Sequence, residues 1–287
     1  MYPIKMEVKK IDFKDVTKEN FTAAFQQDGY VVVENVFSKD FTEAIVPDLE
    51  SAIQFEADKY HSKDHKDYGM LLACSIYGGR FLEVLENRNY IEPFNWILGD
   101  TCIIWVYTSS GMAPSSRNYA SRIHVDRSYF TPGGYTDAMG SLILLNDFTL
   151  ENGATYILPK SHLKPDEPSE DYFYSHAARL VAPRGSVFYF NLRLWHAGGK
   201  NITNEWRHAL GIGMIKPYLK QRIDLPRAMA TTDMSNITHY GKQKLGFYAQ
   251  PPASVEEYYK NASLALLQKS EWDLDREKEK FQKGKNH

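Results

Sequence analysis

Cysteine is scarce in this chain: Cys74 and Cys102 are the two among 287 residues, and they lack the paired spacing of a zinc site or a disulfide framework. That excludes a fold stapled by bridges or by cysteine-bound metal. No apolar stretch approaches the roughly twenty residues that a membrane span requires. The opening Met1-Tyr2-Pro3-Ile4-Lys5-Met6 also lacks the apolar run of a signal peptide. A reduced, cytoplasmic protein is the expectation, and the sequons at Asn20, Asn201, Asn236 and Asn261 then carry no glycan. Charge of one sign is missing as well: 34 basic residues face 36 acidic ones, for a formal net charge of −2. Such a balance offers no field to attract nucleic acid or an anionic membrane. The expected partner is a small-molecule substrate, and the protein itself a monomer or homodimer. No internal repeat is visible.

Aromatic side chains are what the chain has in quantity, with 19 Tyr and 15 Phe, enough for a large core and an apolar pocket. All-β sandwiches and barrels often run to about 200–250 residues as one unit, so the expectation is one elaborated domain in three parts. Residues 1–100 read as mainly helical. Thr17 can cap a helix that buries Phe21 and Phe25 and ends at Gly29, before a strand over 30–36. Ser38 or Asp40 can start a second helix with Ile45, Leu49 and Ile53 one turn apart, Pro47 lying near its first turns or kinking it. Phe81, Leu82 and Leu85 mark a further helical face, followed by 90–98. From 101 to 217 the pattern changes: 101–108, 141–148, 154–158, 186–190 and 206–216 read as strands between Gly-, Pro- and Asn-rich turns. Five strands without helices between them point to a closed or sandwiched antiparallel architecture, mainly β with flanking helices. Polar, Pro-containing 164–175 reads as a long surface loop. Residues 218–287 read as a helical extension, with a final helix over 263–281 and a charged tail.

In Arg122-Ile123-His124-Val125-Asp126 the imidazole and the carboxylate are two residues apart at a strand end, which puts them on one face. Alone this is a weak signal, since surface His and Asp usually face water. His196 strengthens it: it follows the 185–190 strand and precedes the small Ala197-Gly198-Gly199, where backbone can approach a site closely. Two histidines and one carboxylate make a facial triad that leaves coordination positions open, which means catalysis rather than structure. Arg207 stands eleven residues beyond His196 in an otherwise apolar strand. A guanidinium there needs an anion, either a structural Asp or Glu or the outer carboxylate of a bound 2-oxoglutarate. Phe188, Phe190 and Trp105 read as core; Tyr129, Phe130 and Tyr107 read as candidates for the pocket mouth. Lys216, Lys220 and Arg222 read as a solvated basic surface.

His124-x-Asp126, the run Glu151-Asn152-Gly153-Ala154-Thr155-Tyr156-Ile157-Leu158-Pro159-Lys160-Ser161-His162, the Gly185-Ser186-Val187 strand, His196-Ala197-Gly198-Gly199-Lys200-Asn201 and Arg207 follow one another as in a known family. In these motifs the chain resembles the phytanoyl-CoA dioxygenase family, especially its natural-product oxygenases, over about residues 21–252. The resemblance implies a double-stranded β-helix, a jelly-roll core binding iron(II), with 2-oxoglutarate and dioxygen as cosubstrates. It implies His124, Asp126 and His196 as metal ligands, Arg207 with Thr155 as the 2-oxoglutarate site, and His162 as a structural residue. Two positions depart from the pattern, Lys160 before Ser161 and Arg122 where Gln is frequent. Arg122 would share the face of the ligands and meet either a substrate anion or the inner carboxylate of 2-oxoglutarate, or else form a salt bridge beside the site. Retention of Asp126 implies oxygenation rather than halogenation. Hydroxylation of an unactivated C–H bond is the default outcome, with desaturation, cyclisation and endoperoxidation as variants. The competing readings are a cupin-like metal or ligand-binding module and a non-redox metalloenzyme that does not use 2-oxoglutarate.

Overall fold

The computed structural model describes residues 8–60, 69–127, 129 and 135–260, so the expected helix over 263–281 and Phe130 lie outside the described residues. Two compact units are distinguished: Met1–Cys74 with Tyr107–Gly213, and Ser75–Val106 with Met214–His287.

The first unit opens with β1 (Lys10–Asp12), which pairs in parallel with β2 (Tyr30–Glu34) across α1 (Lys18–Asp28). Thr17 sets the start of α1. Its hydroxyl accepts from the Asn20 backbone N–H while the Asn20 side chain accepts from the Thr17 N–H, so two otherwise orphaned donors are satisfied reciprocally. Gly29 ends the helix at φ 81°, a left-handed conformation that a Cβ disfavours. Phe21 and Phe25 are buried as their spacing predicts. Ser38 caps α2 (Lys39–Tyr60) by accepting from the Phe41 N–H, and Ile45, Leu49 and Ile53 form its buried face. Pro47 lies well inside this helix rather than in its first turn. The buried face carries the helix past a residue that cannot donate its own hydrogen bond.

The barrel strands follow: β3 (Ile103–Ser109), β4 (Ala138–Leu144), β5 (Tyr156–Ile157), β6 (Ala178–Arg179), β7 (Val187–Asn191), β8 (His196–Ala197) and β9 (Ala209–Ile215). They form a six-stranded sheet in the order β1-β2-β7-β4-β9-β3 and a three-stranded sheet in the order β6-β5-β8. β7 is antiparallel to both neighbours, with Phe188 opposite Val32 and Leu142. Alternation along β7 divides its aromatics between two faces. Tyr189 meets Phe21 of α1 edge-on at 5.3 Å, while Phe188 and Phe190 stack on each other at 4.8 Å. This is the mainly-β architecture with flanking helices that the strand pattern predicts, in the jelly-roll form that the resemblance implies.

One expectation is corrected here. The stretch 164–175 is not all loop, because α5 (Glu170–His176) occupies its end. Ser169 accepts from the Tyr172 N–H, Glu170 and Asp171 sit in the first turn, and Phe173 is buried against Leu158, Trp195 and Ala197. A single buried aromatic in a polar stretch gives too little periodicity to register as a helix.

In the second unit, α3 (Arg80–Glu86) and α4 (Arg88–Leu98) precede α6 (Leu225–Ala228), α7 (His239–Lys244) and α8 (Val255–Lys260). Lys244 is fully buried there, its ammonium donating to Asn95 Oδ1 at 2.8 Å and to the Asp100 carbonyl at 2.6 Å. No helix among the described residues is long and apolar enough to cross a membrane.

Candidate metal centre

His124 and His196 face each other across an isolated antiparallel bridge, each backbone N–H donating to the other's carbonyl at 2.9 Å. Residues so paired project to the same side of the sheet, and the two imidazole centroids are 4.2 Å apart. Asp126, two residues beyond His124, keeps that face. Its Oδ1 lies 3.5 Å from His124 Nε2 and 3.8 Å from His196 Nε2. One potential ligand atom from each of the three side chains therefore falls within 4.8 Å of the others.

The rings are oriented by backbone. His124 Nδ1 lies 2.9 Å from the Arg122 carbonyl and His196 Nδ1 lies 2.9 Å from the Leu194 carbonyl. A carbonyl can only accept, so each Nδ1 carries the proton and each Nε2 presents its lone pair to the centre. Burial pushes the His196 imidazole below its ordinary range, against the pull of the Asp126 carboxylate. That favours the neutral ring, which is the metal-binding form. The donor set is two nitrogens and one oxygen, with no cysteine. It fits a divalent metal held with open positions, iron(II) among them.

Arg207 is 2% exposed. One terminal nitrogen donates to the Gly153 carbonyl, the guanidinium carbon lies 4.3 Å from the Phe148 ring centroid, and the buried Nε has no hydrogen-bond partner. Burial first, and then the neighbouring Arg179, push its pKa down to about 10. Among the described residues no carboxylate pairs with Arg207, so a structural salt bridge is not what holds it there. A side chain with a stranded donor and a disfavoured charge suits an incoming anion. Thr155 is buried, two residues beyond the Gly153 carbonyl that receives Arg207. The backbone around it is tightly apposed: a Cβ on Gly153 would lie 2.6 Å from the Gly199 carbonyl oxygen, which is the close approach expected of the Gly198-Gly199 run.

Arg122 is exposed, and its visible contribution to the site is the carbonyl that fixes His124. Of the mouth candidates, Tyr129 is exposed and Tyr107 is fully buried. Phe188 and Phe190 are core as expected, and Phe190 also packs edge-on against the His196 ring at 5.4 Å. His162 packs beneath α1, its Nε2 lying 3.2 Å from the Gln26 carbonyl. Sequence reasoning missed Arg179 and Arg193. The second could have been found by the logic applied to Arg207, since Leu192-Arg193-Leu194-Trp195 is likewise an apolar run holding one guanidinium.

The sequence profile of phytanoyl-CoA dioxygenase (PhyH) matches residues 81–209, a span that contains His124, Asp126 and His196 together with Thr155 and Arg207. Over that span, which is under half of the chain, the sequence is similar to the phytanoyl-CoA dioxygenase family. Among relatives of the chain, an uncharacterized protein of Mycobacterium tuberculosis is 24% identical over 279 residues, covering 94% of this chain and all of the relative. The iron/alpha-ketoglutarate-dependent dioxygenase penM of Penicillium thymicola is 23% identical over 248 residues, covering 78% of this chain and 76% of that one. The solved structure of the non-heme monooxygenase ThoJ in its apo form has 18% identity and a TM-score of 0.58, over 71% of this chain and 80% of that chain. That likeness supports the double-stranded β-helix fold. The profile match over 81–209, the dioxygenase relatives and the donor set together support a non-haem iron dioxygenase with iron(II) and 2-oxoglutarate as its cofactors.

Proposed function

We propose that the protein hydroxylates an unactivated C–H bond of a small-molecule metabolite, coupled to decarboxylation of 2-oxoglutarate to succinate and carbon dioxide. The observation that carries this reading is the company of the His124–Asp126–His196 donor set with a fully buried guanidinium whose Nε lacks a partner. A module that only bound metal would have no use for Arg207. His124 and His196 hold the metal through Nε2 and Asp126 through its carboxylate, while Arg207 grips the outer carboxylate of 2-oxoglutarate beside the Thr155 hydroxyl. When bound, iron(II) and 2-oxoglutarate supply the activation of dioxygen that the protein's own side chains cannot. The chain contributes orientation and dryness. The Arg122 and Leu194 carbonyls fix the ligand tautomers, and Phe188 and Phe190 wall the centre from water.

The test is iron content together with 2-oxoglutarate-dependent succinate release. One iron(II) per chain and succinate formation are expected, and both candidate metabolites and uncoupled turnover can be read in the same assay. Alanine at His124, Asp126 or His196 should abolish turnover, and full activity in any one of these variants would remove that residue from the triad.

A further inference from the structure

Two guanidiniums meet one short segment in the unit that carries the metal ligands. Arg207 donates to the Gly153 carbonyl, and Arg179 Nε donates to the next one along, Ala154, at 3.0 Å. We propose that Arg179 is a positioning residue for the cosubstrate: acting through Arg207, its positive charge makes the outer-carboxylate site select a dianionic keto acid over a monoanionic one. The assignment rests on the oxygenase reading above and requires no contact between Arg179 and the ligand.

Geometry fixes where this charge sits. Arg179 lies on β6 opposite Tyr156 of β5, and β5 pairs on its other side with β8, which carries His196. The guanidinium carbon stacks 3.9 Å from the Tyr156 ring centroid. A Cβ on Gly199 would lie 2.6 Å from Arg179 Nη2 and 2.8 Å from the Ala154 carbonyl oxygen. Position 199 therefore excludes a side chain where the guanidinium fits, and the ring, the hydrogen bond and the tight backbone together hold the charge. The segment gripped in this way is the one that orients Arg207 and carries Thr155.

Electrostatics gives that placement a consequence. Burial, and after it the nearness of Arg179, disfavour the Arg207 cation. Arg179 is itself partly buried, and burial is the first cause that lowers its own pKa. Like charges away from water raise each other's cost, and an anion bound at one of them lowers it for both. Glu151 is the carboxylate that favours the Arg179 cation, but it is exposed and acts after burial and Tyr156, so water and salt screen it. A side chain needed only to pin the Ala154 carbonyl could do so with a neutral amide, without burying a second charge beside the first. The charge becomes favourable when Arg207 meets an anion.

The experiment is calorimetric titration of 2-oxoglutarate and of 2-oxopentanoate into the full chain loaded with iron(II), under exclusion of dioxygen. The second probe is the first with a methyl group in place of the outer carboxylate, so the ratio of affinities isolates that group. Wild type should prefer 2-oxoglutarate. Arg179→Met should lower the preference about fivefold by weakening 2-oxoglutarate alone, with 2-oxopentanoate binding and iron content unchanged. Arg179→Lys should keep most of the preference, because the charge remains. Should Arg179→Met fail to fold, Arg179→Gln decides: its amide keeps a donor but no charge, and it should show the same fall. An unchanged preference in the neutral variants, equal weakening of both probes as a merely structural residue would give, or a fall in Arg179→Lys as deep as in the neutral variants overturns the proposal. Wild type binding neither probe, or both equally, would instead overturn the oxygenase reading and the proposal with it, since Arg207 would then hold no carboxylate.

Discussion

At the scale of single residues, Arg207 gives the sharpest expectation. Removing one partner from a buried, hydrogen-bonded charge pair costs about 2–5 kcal/mol, most of it from stranding the other charge. At about 1.4 kcal/mol per factor of ten, Arg207→Met should weaken 2-oxoglutarate use roughly thirtyfold or more. Iron content should be unchanged, since Arg207 is not among the clustered ligand atoms. Arg207→Lys should recover part of the loss, because a point charge does not reproduce two parallel hydrogen bonds. The measurement is the 2-oxoglutarate concentration dependence of succinate formation, with iron assayed in each variant. An unchanged half-saturating concentration and maximal rate would return Arg207 to a structural role. The clustering of His124, Asp126 and His196 and the burial of Arg207 are legible because these residues are spaced along the chain in a recognisable order. Arg179 is not, since its place beside Arg207 comes from the pairing of separate segments and leaves no spacing to read.

At the scale of elements, the junction of α1 and β2 shows what a boundary residue carries. Gly29 has φ 81°, and a Cβ there would lie 2.3 Å from His162 Nδ1. Gly29→Ala therefore meets two penalties, backbone strain and a collision, and should lower unfolding free energy by roughly 1–3 kcal/mol. His162→Ala in the same chain should relieve the collision and leave the strain, so the double variant should unfold between Gly29→Ala and the His162→Ala parent in denaturant. Identical midpoints for Gly29→Ala and wild type would refute the packing account. Boundaries of this kind were readable: Thr17, Gly29 and Ser38 act through local chemistry that the sequence displays directly. β1 escaped notice because its three residues gain their meaning only by pairing with β2, twenty-two positions away in register at Lys10↔Val32. The strand expected over 154–158 is the two-residue β5, and β6 and β8, also two residues each, lie outside the strands the pattern marks, since the small sheet is held by isolated bridges such as His124↔His196 as much as by continuous ladders.

At the scale of the whole molecule, the strand content was foreseeable from alternation, whereas the order β1-β2-β7-β4-β9-β3 is set by distant pairings that periodicity does not encode. Stability, too, is a property of the whole chain, and buried histidines tie it to pH. His208 is almost wholly buried, stacked on Trp206 with ring centroids 5.5 Å apart. Burial pushes its imidazole below the ordinary range, with Arg207 adding to the shift and Glu50 opposing it. His162 is shifted in the same direction, again chiefly by burial. A histidine whose folded pKa is depressed binds its proton more readily in the unfolded chain. Its contribution is present above the unfolded value of about 6.5 and is lost as pH falls through the folded one. The denaturation midpoint should accordingly drop as pH is lowered from about 7 to about 5. Acidification will also act on carboxylates and on the metal ligands, so the informative quantity is a difference between chains that share those groups. Carrying out the series on metal-free wild type and on the His162→Gln, His208→Gln double variant cancels the common contributions of His124 and His196. The double variant should show the shallower fall, because glutamine brings no proton equilibrium to either position. Equal slopes in the two chains would mean that these imidazoles accept protons in the folded state as readily as in the unfolded one, and that burial at Trp206 and beneath α1 exacts no penalty on the charged ring.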